Sequence, residues 1–280
     1  GGGENRLSVN GVAFAGIDRV ATADAQLTAT ASAEQFALAG ADNALHVAGI
    51  EFEGVQSVNG NGGDDALIGS DGDDVFALAD DGDISTAGIL FSGIASVDSG
   101  SGVDSVSGDG AAWRSMVAQA GDQLVTGAAV AQVDSITVQF QNLEQVTNTG
   151  RYSGPEFSAD YHLVGANSLA IGGITYGGLD SIAAGTAADT LYGIDADLSW
   201  TLGDGQGSLT DGASTLVFSG FELIVGGAGA DQFNLNGGVL DSLNTGAGND
   251  TVNLAGMQLD SLHLGAGDDL VAVLSDSQPA

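Results

Sequence analysis

The chain has 280 residues, with 37 acidic residues against four Lys and Arg, a formal net charge of −33, 46 glycines and no cysteine. That charge excludes a nucleic-acid binder, because phosphate contacts need Lys and Arg, and it opposes binding to anionic membranes. A hydrophobic share of 43% at strand spacing argues against disorder, the missing cysteines rule out disulfides, and no apolar stretch approaches the ~18 residues that would insert into a membrane.

The acidic residues are 30 Asp and 7 Glu, and the basic ones are Arg6, Arg19, Arg114 and Arg151. Asp tolerates tight turns and reaches a nearby cation over a shorter lever than Glu, so this bias favours turns over helices. The opening Gly1-Gly2-Gly3-Glu4 has no signal-peptide pattern and reads as the start of a segment cut from something longer.

A repeated half-unit, Gly-φ-x-φ-x-Gly-φ-x-x-φ with φ apolar, then runs along the chain. It appears at Gly11–Val20, Gly49–Val58, Gly88–Val97 and Gly173–Ile182, with looser copies around Phe140 and Phe218. Its aromatic positions, Phe14, Phe52, Phe91, Phe140, Tyr176 and Phe218, are 38, 39, 49, 36 and 42 residues apart. A unit near 40 residues reads as two coils of about 20. Phe14, Phe52, Phe91, Tyr176 and Phe218 are expected to form a core column and not a sugar-binding platform.

The second half of each unit carries acid. Asp65, Asp104, Asp189 and Asp231 each follow the last apolar position (Val58, Val97, Ile182, Ile224) by seven residues. Short pieces such as Asp74-Val-Phe-Ala-Leu78 and Glu34-Gln-Phe-Ala-Leu38 alternate in polarity, with Phe76 and Leu78 facing in and Val75 out. Strands of four to six residues between Gly/Asp turns leave no room for long helices. One short helix is conceivable from Asp109 to Gly121, which has a capping Asp and a terminal Gly. Residues 110–160 hold the weakest repeat and are expected to be irregular coils or an excursion.

Residues 225–274 hold the most regular coils. Gly-Ala-Gly-Ala-Asp at 227–231, Gly-Ala-Gly-Asn-Asp at 246–250 and Gly-Ala-Gly-Asp-Asp at 265–269 place Asp231, Asp250 and Asp269 nineteen residues apart. Between them Asp241 and Asp260 sit in Asp-Ser-Leu triplets without nearby glycines and are expected to face water. The whole chain therefore reads as one all-β domain over 1–280, a parallel β-solenoid of stacked coils. Carboxylates stacked ~4.8 Å apart would repel one another, which argues for a cation between them.

Two consecutive nonapeptides, Gly60-Asn-Gly-Gly-Asp-Asp65-Ala-Leu-Ile and Gly69-Ser-Asp-Gly-Asp-Asp74-Val-Phe-Ala, have the form Gly-x-x-Gly-x-Asp-x-φ-x. Gly226-Gly-Ala-Gly-Ala-Asp231-Gln-Phe-Asn fits the fuller form Gly-Gly-x-Gly-x-Asp-x-φ-x. These motifs resemble the repeats-in-toxin (RTX) family of secreted bacterial proteins. The longer unit, Phe-x-Gly-φ-Glu-x-φ before such a motif, looks like the β-strand repeats of giant bacterial surface adhesins. The resemblance implies a right-handed parallel β-helix or β-roll of about 20 residues per coil, with Ca²⁺ caged by oxygens between adjacent turns. By position it carries the metal ligands over to Asp65, Asp74, Asp104, Asp231, Asp250 and Asp269. With no Cys and only His46, His162 and His263, calcium is preferred to zinc.

The resemblance further implies an extracellular, cell-surface rod or adhesin segment. Its partners would be calcium and, beyond it, a cell-surface or polysaccharide ligand. The alternative is a self-assembling fibre or surface-layer subunit, because solenoid ends expose unpaired strand edges that invite end-to-end association. A β-helix polysaccharide enzyme is disfavoured. The carboxylates follow the repeat, and the Lys, Arg and His that handle acidic sugars are scarce. Trp113 and Trp200 are the only residues suited to carbohydrate stacking.

Overall fold

The structure, a computed structural model, describes residues 6–9, 12–79, 81–108, 115–118, 129–133, 136–147, 150–203 and 206–274. Among them it is all-β, with 31 short strands and no helix. Chain contacts divide it into two units, Gly1–Arg114 with Gly127–Thr147, and Ser115–Thr126 with Asn148–Ala280.

Both units are made of two ribbons of hydrogen-bonded strands. In the first unit one ribbon begins at residues 19–21 and continues through residues 51–53, Ala44–Val47, Gln35–Leu38, Ala66–Ile68, Ser96–Asp98, Ile136–Gln141 and Ala129–Val133. The other begins at residues 26–28 and continues through residues 57–59, Ile89–Ser92, Ile84–Thr86, Val75–Leu78, Ser105–Gly108 and Gln145–Thr147.

In the second unit one ribbon runs Ser115–Ala118, Gly150–Ser153, Leu179–Ala183, Thr215–Ser219, Gln206–Thr210, Ser199–Gly203, Gln232–Leu235, Thr251–Leu254, Leu270–Val273. Its companion runs Ile174–Gly177, Ser168–Ile171, Asp160–Gly165, Thr190–Tyr192, Leu223–Val225, Val239–Asn244, Gln258–His263.

The alternation of apolar and polar residues decides which face of each strand is buried. In Val75–Leu78, Phe76 and Leu78 are 0% and 2% exposed while Val75 is 63% exposed, the period of two expected of a half-buried strand. The inward faces of the two ribbons meet: the Phe36 and Phe91 rings lie 6.3 Å apart, and those of Tyr152 and Tyr161 6.2 Å apart. Where the chain passes from one ribbon to the other through a corner that carries Asp65, Asp104, Asp189, Asp231 or Asp250, the inward residues flanking it are nine positions apart, whereas the return crossings, as from Phe91 to Val97 or from Phe218 to Ile224, take six. Val58 and Leu67, Val97 and Val106, Ile182 and Leu191, Ile224 and Phe233, and Leu243 and Val252 are the nine-position pairs, all at most 1% exposed.

The parallel ladders fit a β-solenoid, but the uniform coil of about 20 residues holds only at the end of the chain. Phe233, Val252 and Val271 are in-register neighbours 19 residues apart. Earlier the register jumps by 30 from Leu67 to Val97, by 43 from Val97 to Phe140 and by 36 from Ile182 to Phe218. The physical reason is a set of antiparallel meanders inserted between corners. Gln35–Leu38, Ala44–Val47 and the start of Ile50–Asn59 form one. Ser199–Gly203, Gln206–Thr210 and Thr215–Ser219 form another. Each adds strands to one ribbon before the chain returns to its parallel partner.

The meanders also overturn the expected aromatic column. Phe52, Phe91, Phe140, Tyr176 and Phe218 are all buried. Their in-register neighbours, however, are aliphatic: Val20 beside Phe52, Val58 beside Phe91, Val97 beside Phe140 and Ile182 beside Phe218. Phe14 lies in strand Val12–Ala15, and its side chain falls outside the described residues. Within the helix considered for 109–121, the described residues Ser115–Ala118 are a strand; the others, Trp113 included, lie outside the described residues.

Candidate functional site: a ladder of stacked carboxylates

The corners turn the Asp side chains inward, so that they serve as backbone acceptors between coils. Asp231 Oδ1 accepts the N–H of Leu198 at 2.8 Å, Asp250 Oδ1 that of Asp231 at 2.9 Å, and Asp269 Oδ1 that of Asp250 at 3.0 Å. The backbone returns the contact one register on: the N–H groups of Gln232, Thr251 and Leu270 donate to the carbonyls of Leu198, Asp231 and Asp250. Each Asp thus satisfies an N–H at a point where the strand ladder gives way to a corner.

The same bond recurs in the first unit. Asp65 Oδ1 accepts Glu34 N–H and Asp104 Oδ1 accepts Asp74 N–H, both at 2.8 Å. Asp189 Oδ1 accepts Ala159 N–H at 2.8 Å in the second unit.

Three corners add a reciprocal bond from the residue just before the Asp. Asp73 Oδ1 accepts Val103 N–H, Asp197 Oδ1 accepts Ala230 N–H, and Asn249 Oδ1 accepts Asp268 N–H, at 2.8, 2.8 and 2.9 Å. A pair of neighbouring coils is then clamped in both directions, much as a capping box joins two ends of one helical turn. The rule is legible afterwards: Asp or Asn at the earlier position in one coil, Asp at the later position in the next.

Glycine is needed at these corners for two reasons. A Cβ on Gly246 would lie 1.9 Å from the Gly227 carbonyl oxygen, and its φ of 102° is a left-handed value that other residues avoid. A Cβ on Gly226 would lie 2.6 Å from Asp231 Oδ2, so the carboxyl is tucked under its own turn. The glycines therefore let coil backbones, and a carboxyl, come closer than any side chain permits.

Burial leaves half of each carboxyl without a partner. Asp65, Asp104 and Asp189 are 0% exposed, Asp250 1% and Asp231 2%. In all five the second oxygen, Oδ2, is buried with no hydrogen bond. Burial raises the carboxyl pKa of Asp65, Asp104 and Asp189, and the acids beside them (Glu34, Glu144 and Glu222) push the same way. Asp231 is raised to about 7, first by burial and then by Asp250 and Asp197, against the backbone bond from Leu198 and the nearby Trp200 indole. A buried, half-paired carboxylate is costly, so each such oxygen is disposed to take a proton or a cation.

The six sequence-derived ligands do not share one environment. Asp65, Asp104, Asp231 and Asp250 have the buried free oxygen. Asp74 is partly exposed, and its Oδ2 is held by Ser70, through backbone N–H at 2.6 Å and hydroxyl at 3.0 Å. Asp269 is partly exposed on the last rung. Asp189, in a glycine-poor turn, has the same arrangement as the strongest four and belongs with them. Asp241 and Asp260 are exposed, as expected of their triplets.

Glu144 and Glu222 were missed as participants: their Oε2 atoms accept the N–H groups of Asp104 and Asp189 at 2.8 and 2.9 Å. Their signal was present, since both lie four residues after the aromatic of the half-unit, Phe140 and Phe218. The three histidines are exposed, and His162 stacks on Tyr192 at 4.4 Å. Trp200 is fully buried against Phe233, which removes it as a carbohydrate platform.

In kind, the unpaired carboxyl oxygens fit a hard cation, although the Trp200 indole nitrogen near Asp231 is also buried without a hydrogen bond. Among the described residues no three acidic or histidine side chains converge on one point. Any ion would therefore complete its shell from corner carbonyls and water. No family model, curated protein or solved structure matches the chain.

Proposed function

We propose that this chain is a structural repeat segment of a secreted bacterial surface protein, a rod or adhesin stalk that Ca²⁺ stabilises between its stacked Gly-x-Gly-x-Asp turns. The observation that carries the reading is the row of buried carboxylates with an unshared oxygen, held at a 19-residue register by Asp231 and Asp250. Asp65, Asp104, Asp231 and Asp250 would each help hold an ion at their own corner, with Asp189 added on geometry, while Asp74 and Asp269 would contribute less. Bound calcium would neutralise charge that the fold otherwise confines beside other charge. The −33 net charge and the absence of cysteine suit an extracellular protein that uses metal in place of disulfides. Acids that recur with the register describe a scaffold better than a unique catalytic centre.

The test is a calcium titration at low ionic strength, followed by circular dichroism and thermal melting. At a hundredfold excess over the dissociation constant, each site that binds only the folded chain adds about 2.7 kcal/mol. A melting temperature that is the same in calcium and in chelator sinks the metal reading and leaves the Asp residues as backbone acceptors alone.

A second reading, favoured by the raised pKa of Asp231, closes the ladder with protons. It keeps the scaffold and drops the metal. Melting that responds to pH but not to calcium would select it.

A further inference from the structure

The last corner among the described residues carries an open counterpart of the contacts that join the coils before it. Strand Leu270–Val273 pairs with Thr251–Leu254, and Gln258–His263 pairs with Val239–Asn244; on their other edges neither has a strand partner among the described residues. Val271 occupies the register position of Phe233 and Val252. Those two are 0% exposed, whereas Val271 is 37% exposed and its neighbours Val273 and Leu274 are 74% and 51% exposed. The polar contacts stop at the same place. Asp250 N–H donates to Asp269, so the next bond of the ladder would begin at Asp269 N–H. Asn249 accepts from Asp268, so the next reciprocal bond would end on the Asp268 carboxylate.

We propose that this corner is a docking site for one further coil of the same kind. The partner is defined by its chemistry. It is a parallel two-strand corner whose inward apolar residues are nine positions apart, as Leu262 and Val271 are. An Asp stands two positions before the second of these, to receive Asp269 N–H, and the residue before that Asp offers a backbone N–H to Asp268. The argument is continuity with an interface already present: the coil carrying Asp250 buries the one carrying Asp231 in this way, and the coil carrying Asp269 buries that one. Parallel strand addition to an open edge is a general recognition mode in which main-chain bonds give affinity and alternate side chains give specificity. Here the carboxylate clamp adds a polar requirement to the apolar one. Like-charge repulsion from the acidic corner opposes any acidic partner, so the Asp-to-N–H bond has to offset it. The proposal rests on the stacked-coil reading and is independent of calcium.

The experiment compares three full-length chains by amide hydrogen exchange, each in chelator and in calcium: the parent, a chain in which residues 256–274 are repeated directly after Leu274, and the same extended chain with Asp269→Ala in the added copy only. In the extended chain the original Asp269 amide should exchange at least ~100-fold more slowly than in the parent, approaching Asp250. The Asp269→Ala copy should lose that protection at the original Asp269 while keeping it at Val271 and Val273. Equal exchange at Asp269 in parent and extended chain overturns the docking site, and equal protection by the Asp and Ala copies overturns the clamp as its recognition element. Protection already present in the parent at high concentration, with doubled mass by light scattering, would mean that the face pairs with a second copy and would overturn the proposal too. A lost calcium response with intact protection in chelator would sink the metal reading alone.

Discussion

Replacing Asp250 by Ala and by Asn, with Asp260→Asn as a control, separates the hydrogen-bonding role of a ladder carboxyl from its charge. Asp250 accepts the N–H of Asp231 at 2.9 Å in a place where Asp231 is 2% exposed. Asp250→Ala orphans that buried N–H, at a cost of about 1–3 kcal/mol. A domain of this size loses roughly 2–4 °C per kcal/mol, so the melting temperature should fall by several degrees. Asp250→Asn keeps an oxygen acceptor at Oδ1 and removes a charge whose other oxygen is buried without a partner. In chelator at pH 8 it should melt at or above the parent, and with calcium it should lose much of the parent's gain. Asp260 is exposed, and Asp260→Asn should stay within about 0.5 kcal/mol in both conditions. Differential scanning calorimetry with and without calcium reads all three. The reasoning is refuted if Asp250→Ala behaves like Asp260→Asn, since the N–H bond would then carry nothing. It is equally refuted if Asp250→Asn in chelator falls as far as Asp250→Ala, since the charge would not be a burden.

The pH dependence has a definite sign. Asp231 is raised to about 7 and Asp65, Asp104 and Asp189 are raised above the usual 3.8, so the folded chain binds more protons than the unfolded one between those values; in chelator, stability should fall as pH rises from about 4 to 8, and melting temperatures that climb over this range contradict the burial of these carboxyls. At the corners, Gly246→Ala meets both a carbonyl oxygen 1.9 Å from the new Cβ and a φ of 102°, whereas Gly237→Ala meets only a φ of 97° with open space around it. The first should be less stable than the second by about 1–3 kcal/mol in urea unfolding, and equal losses would show that turn strain alone, without close coil approach, accounts for the glycines.

Much of the architecture was legible in the chain because local rules wrote it there. The seven-residue step from the last apolar residue to Asp is the corner seen in the structure, with the inward residue two positions further on, as in Val58, Asp65 and Leu67. Alternation in Val75–Leu78 told which side chains face in, and the 19-residue return of Asp231, Asp250 and Asp269 predicted their stacking. These features follow from strand pleating and turn geometry, which act within a few residues.

What only the tertiary structure decided is which segments become neighbours. Nothing local in Gln35–Leu38 announces that it will pair antiparallel with Ala44–Val47 as well as parallel with Ala66–Ile68. Those antiparallel insertions turned a uniform interval into steps of 30 to 43 residues and set Val58, not another aromatic, beside Phe91. The role of Asp was settled in the same way. Sequence places a carboxylate at a turn, where solvent, metal and backbone N–H are all possible partners. Only the stacking of one coil on the next brings the Asp231 N–H to Asp250 Oδ1 and closes the corner over the other oxygen. Burial and its cost are properties of the assembled neighbours, and no residue carries them alone.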